Sequence, residues 1–99
     1  MKQVRLTSKQ INIIKEIAEE IFGKNSKVYI FGSRTDLSKK GGDIDILILT
    51  ENLVDKFKKK LKFTAKLYKK LGEQKIDVII TDNPKNEIEE TAVKTGVKI

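Results

Sequence analysis

The chain has 99 residues, a net charge of +7, no cysteine and no histidine. It reads as one small domain, 1–99, with a single core near the lower end of comfortable size. Disulfides, thiolate metal sites and a histidine base are excluded; a metal would need oxygen ligands, and a base would be a carboxylate, Lys or Tyr, unless a metal alone activates the substrate. No run approaches membrane-span length and no leader pattern is visible, so the chain reads as cytoplasmic, with no membrane partner. The charge is concentrated: segment 53–71 holds eight Lys and one Asp, so the remainder sums to zero.

In chain order, "LTSKQI" (6–11) is a capping box, with Thr7 as N-cap and Gln10 three residues on. Leu6 and Ile11 occupy staple positions around it. Ile11, Ile14, Ile17, Ala18, Ile21 and Phe22 then share one helical face, and Gly23 ends the helix. "KVYIFG" (27–32) reads as a strand, "SRTDLSKKGG" (33–42) as a polar loop, and "DIDILILT" (43–50) as the most buried strand. Segment 53–71 reads as a helix whose core stripe is Leu53, Val54, Phe57, Leu61, Ala65 and Tyr68. "QKIDVIIT" (74–81) is a third strand. "DNP" (82–84) then opens a helix with Asn83 as N-cap and Pro84 at its first position, running to about Thr95. Gly96 ends it, and "VKI" reads as a last short strand.

The order αββαβα specifies an α+β fold: a small mixed sheet flanked by helices. The first two strands, joined by a loop, are expected to pair antiparallel. The second and third, joined through a helix, are expected to run parallel by a right-handed crossover. That topology brings Gly32-Ser33 beside Asp43-Ile44-Asp45 and sets Asp77 at the depth of Asp45. Asp43 and Asp45 share one strand face, while Ile44, Ile46 and Ile48 share the other. Three carboxylates this close call for a compensating cation, and a hard divalent ion suits oxygen ligands. Gly32 permits close approach to a phosphate, Ser33 supplies an N–H and a hydroxyl, and Arg34 adds positive charge.

"FGSR…GGDIDILI" resembles the signature of the polymerase-β-type nucleotidyltransferase superfamily, and the chain looks most like its minimal stand-alone prokaryotic members. "LGEQKIDVII" (71–80) resembles their third-carboxylate strand. The resemblance covers roughly Lys27 to Ile99. It implies a polymerase-β-like nucleotidyltransferase fold and transfer of a nucleoside monophosphate from an NTP, ATP by preference, with release of pyrophosphate. Asp43, Asp45 and Asp77 would be the catalytic, metal-binding triad, holding two Mg²⁺ or Mn²⁺ ions. Gly32, Ser33 and Arg34 would bind the nucleotide. Some small relatives are antitoxins paired with a HEPN-type toxin, so a protein partner of that kind is implied as an acceptor. The sequence departs in having Gly42 where many relatives have Ser before the first acid, which removes a side-chain contact but no ligand.

Other features carry weaker readings. Lys58, Lys59, Lys62, Lys66, Lys69 and Lys70 fall in one arc opposite the expected core stripe, as a solvated face or as a surface for RNA or an acidic partner. Phe63 and Leu67 lie off that stripe, either widening the apolar face or forming a patch for a protein partner or a second copy. The alternative to an enzyme is a catalytically inactive binding module, an antitoxin acting by contact with a partner protein or RNA. No P-loop or dinucleotide fingerprint is present, and a serine hydrolase would lack its histidine.

Overall fold

The computed structural model describes residues 6–32, 43–51, 53–72, 75–83 and 86–99. Thr7 starts helix α1 (Ser8–Phe22) through the expected reciprocal cap. Its hydroxyl accepts from the Gln10 N–H at 3.1 Å, and the Gln10 side chain accepts from the Thr7 N–H at 2.8 Å. Two otherwise orphaned donors are thereby satisfied. Ile14, Ile17, Ala18 and Phe22 turn inwards, and Gly23 closes the helix by donating its N–H to the Glu19 carbonyl.

Strand β1 (Lys27–Phe31) pairs antiparallel with β2 (Ile44–Leu49). Helix α2 (Lys56–Leu71) crosses over to β3 (Ile76–Thr81), which lies parallel to β2. Helix α3 (Glu87–Thr95) then leads to a two-residue strand, β4 (Val97–Lys98), antiparallel to β1. The sheet order is β3-β2-β1-β4. The αββαβα order, the mixed sheet and the last short strand all follow the sequence reading.

Strand alternation sorts the side chains into two layers. Val28, Ile30, Ile44, Ile46, Ile48 and their β3 counterparts meet α1 and α2 on one face. Tyr29 and Leu47 meet Ala92 of α3 on the other, with Phe31, Leu49 and Ile79 partly covered.

Helix α2 turns a different face inwards from the one expected. Phe63 and Leu67 are fully buried, whereas Val54, Phe57, Leu61 and Tyr68 are exposed. Only Leu53 of the expected stripe packs on the core. The helix carries two apolar stripes, and its anchors decide between them. Leu53 and Leu71 bracket α2 and both pack against the core, a rotation that points Phe63 and Leu67 down. There the Phe63 ring meets Phe22 of α1 edge-on, with centroids 5.5 Å apart and planes at 69°. Burying each of these two side chains contributes about 1.5–3 kcal/mol.

The lysine arc is correspondingly not all open surface. Lys66 reaches Glu20 of α1 at 2.5 Å, and its hydrogen bond and charge hold the Glu20 carboxyl below the usual carboxylate range. The helix itself begins later than expected, at Lys56, after Asp55 adopts a left-handed turn (φ 54°). Asp is among the few L-residues that tolerate that conformation.

The start of α3 is also corrected. Asn83 is not the N-cap, because its backbone is engaged by the Thr81 hydroxyl, which donates to the Asn83 carbonyl and accepts from its N–H. The cap is Asn86, whose side chain accepts from the Glu89 N–H at 2.8 Å and donates to the Glu89 carboxylate at 3.1 Å. Pro84 lies outside the described residues. The helix ends at Thr95, before Gly96, as expected.

Candidate active site

The acids lie at the end of the sheet where β2 and β3 begin. Asp45 is opposite Phe31 on β1 and in register with Asp77 on β3. Asp43 stands two residues before Asp45 and therefore on the same face. That face is the one α3 partly covers, since Ile44 and Ile46, which alternate with the acids, are fully buried under α1 and α2. The hydrophobic pattern pins this register: a one-residue slip of β2 would drive its charges into the core.

The surroundings of Asp45 disfavour its charged form. Burial first, then the charges of Asp77 and Asp43 and a hydrogen bond with Asp77, push its carboxyl above the ordinary range; Lys75 pulls it the other way. Lys75 was not anticipated from the sequence. Its ammonium lies 3.6 Å from an Asp43 carboxylate oxygen. The available signal was period two, because Lys75 is two residues before Asp77 and so shares its face.

Gly32 ends β1 with φ +74°, a conformation that favours glycine. A Cβ there would run into the Asp45 Oδ2 and lie 3.1 Å from its Cγ. Both the turn and the close approach therefore require glycine. Gly32→Ala is expected to destabilise the fold by about 1–3 kcal/mol through strain at this turn. Urea denaturation measures this, and a midpoint equal to the parent's would contradict the reading. Ser33 and Arg34, the other expected nucleotide contacts, lie outside the described residues.

Among the described residues, no three acidic side chains gather into a ready-made cation cluster. Asp45 and Asp77 hydrogen-bond to each other, while Asp43 faces Lys75. The donor chemistry nevertheless fits a hard divalent ion: carboxylate oxygens on one sheet face, with mutual repulsion that a cation would relieve. An open cleft elsewhere, lined by residues such as Lys24, Lys27, Glu51 and Asp82, lies at the opposite end of β2 and contains none of the three acids. Among the described residues, no helix is long and apolar enough to cross a membrane.

A mixed sheet of this order, with a glycine turn set against an aspartate that is in register with another, is consistent with the polymerase-β-like nucleotidyltransferase fold. The chain belongs to that family: the model described as polymerase beta, nucleotidyltransferase matches residues 8–99. No curated protein sequence matches it.

Proposed function

We propose that the protein transfers a nucleoside monophosphate, AMP from ATP, to an acceptor hydroxyl. The acceptor hydroxyl loses its proton to solvent as its oxygen bonds to the α-phosphorus, the bond from that phosphorus to the bridging oxygen breaks, and pyrophosphate leaves. The observation that carries this reading is the register of Asp45 with Asp77, with Asp43 on the same face and Gly32 against the Asp45 carboxylate.

In this reading Gly32 gives the triphosphate room to approach the backbone, and Ser33 and Arg34, which follow it in sequence, supply the phosphate contacts. Asp43, Asp45 and Asp77 would hold Mg²⁺ or Mn²⁺, two ions in all, which when bound neutralise phosphate charge and favour in-line displacement. Asp45 is suited to that role because its anionic form is unfavourable until positive charge arrives. Lys75 sits where it offsets part of the negative charge on Asp43 in the meantime.

A partner protein is the acceptor this reading favours; if it is a HEPN-type toxin, the chain is the antitoxin of a toxin–antitoxin pair. That part rests on the resemblance of "FGSR…GGDIDILI" to the minimal nucleotidyltransferases.

Calorimetric titration with a non-hydrolysable ATP analogue tests the site without an acceptor. Binding is expected only with Mg²⁺ or Mn²⁺ present, and is expected to vanish in Asp43→Asn/Asp45→Asn. ATP labelled on the α-phosphate then tests transfer to cell-extract protein. Equal labelling by the parent and the double variant would sink the proposal.

A further inference from the structure

The face of α2 that sequence reading assigned to the core is a stripe on the surface. Phe57 is 74% exposed, Leu61 57%, Tyr68 41% and Val54 68%, with exposed Ala65 between. Within the helix, from Phe57 on, these positions advance by four, four and three residues, the period of a helix–helix seam. From Phe57 to Tyr68 the seam runs about 17 Å, roughly three helical turns, with Val54 exposed just before the helix begins. Lys58, Lys62 and Lys69 line one flank on an ideal helix. The stripe is independent of the acids, which lie on the other sheet face.

We infer that this stripe docks an acidic amphipathic helix of another protein, apolar along its seam and carrying Glu or Asp where it meets the lysine row. Charge selects the occupant. A second copy would have to offer an exposed apolar helix of its own. Among the described residues, the large exposed apolar side chains outside this stripe reduce to Ile88 on α3. One residue cannot fill a seam of about three turns. Pairing α2 with α2 would instead bring together two segments that each carry eight Lys and one Asp. Like charges across an interface are costly, and opposite charges steer association. The stripe is also narrow, spanning about 80° of the helix on ideal geometry. A helix lying in a lipid surface presents a broader apolar face.

The test uses two synthetic helical peptides of about 21 residues, three heptads. Both carry Leu along the seam; one has Glu on the flanks and the other Lys. Fluorescence anisotropy with the full chain is expected to show binding of the Glu peptide, weakened by salt, and none of the Lys peptide. Leu61→Ser and Lys58→Glu are each expected to weaken it, the former by about tenfold. Both residues are exposed, so circular dichroism and melting should be unchanged. Equal affinity for the two peptides, no affinity for either, or variants that bind like the parent would each overturn the proposal. So would anionic vesicles, single-stranded RNA or self-association in sedimentation proving to be what Leu61→Ser abolishes, with the Glu peptide unaffected.

Discussion

Asp45→Asn is expected to abolish transfer while making the metal-free protein more stable at neutral pH. A carboxylate ligand worth several kcal/mol in the transition state corresponds to a loss of about 10³-fold or more. The stability effect follows from burial and from the charges of Asp77 and Asp43, which push the Asp45 carboxyl up. In the window between its unfolded value, about 3.9, and its raised folded value, the folded chain binds more protons than the unfolded one. Stability from this group is therefore full below the unfolded value and lost as pH rises through the folded value. At neutral pH the ionised side chain is a net cost, which Asn removes.

Thermal melts from about pH 4, near the unfolded value, up through neutral pH measure this. The parent should lose stability with rising pH relative to the variant. Added Mn²⁺ should raise the parent's melting temperature and leave the variant's nearly unchanged. A variant less stable than the parent at neutral pH, or one that responds equally to Mn²⁺, would contradict the electrostatic account.

Phe63→Ala is the second large effect expected. Phe63 is fully buried against Phe22 of α1, so truncation leaves a cavity between helix and sheet. Such changes cost about 3–5 kcal/mol, a large fraction of the roughly 5–15 kcal/mol that holds a domain of this kind together. Phe57→Ala, six residues earlier and 74% exposed, should change stability by no more than about 0.5 kcal/mol. Urea denaturation of the two variants side by side decides which face of α2 carries the core. Equal losses, or a larger one for Phe57→Ala, would mean that the helix is rotated from the position described.

The contrast shows what was legible in the sequence and why. The face that Asp45 occupies was legible because a strand has only two faces, and the Ile44-Ile46-Ile48 run marks the buried one. Once the hairpin and the crossover were read, the register of Asp45 with Asp77 followed. Helix α1 was legible for a similar reason: it has one apolar face and a local cap that depends on nothing distant. Helix α2 offers two apolar faces, and local periodicity ranks them by count alone. The choice belongs to partners far away in sequence, Phe22, Glu20 and the core beneath Leu53 and Leu71. The start of α3 failed on turn chemistry, because the Thr81 hydroxyl claims the backbone of Asn83 and postpones the helix to Asn86. Gly32 was expected to make room for a phosphate; in the structure its missing side chain makes room for the Asp45 carboxylate.

The sheet order has a consequence for how inactive variants behave. β3 is the terminal strand, and its sequence, "IDVIIT", is apolar except for Asp77 and a final threonine. Terminal strands of this composition recruit further strands from other molecules and grow into aggregates unless a charge interrupts them. Asp77, exposed at the second position of the strand, is that interruption. The same carboxylate is thus expected to discourage edge-to-edge stacking as well as to line the proposed site. Neutralising it removes both at once, so loss of activity in an Asp77 variant would be confounded by loss of soluble protein. Asp45, on an interior strand with neighbours on both sides, carries no such second duty.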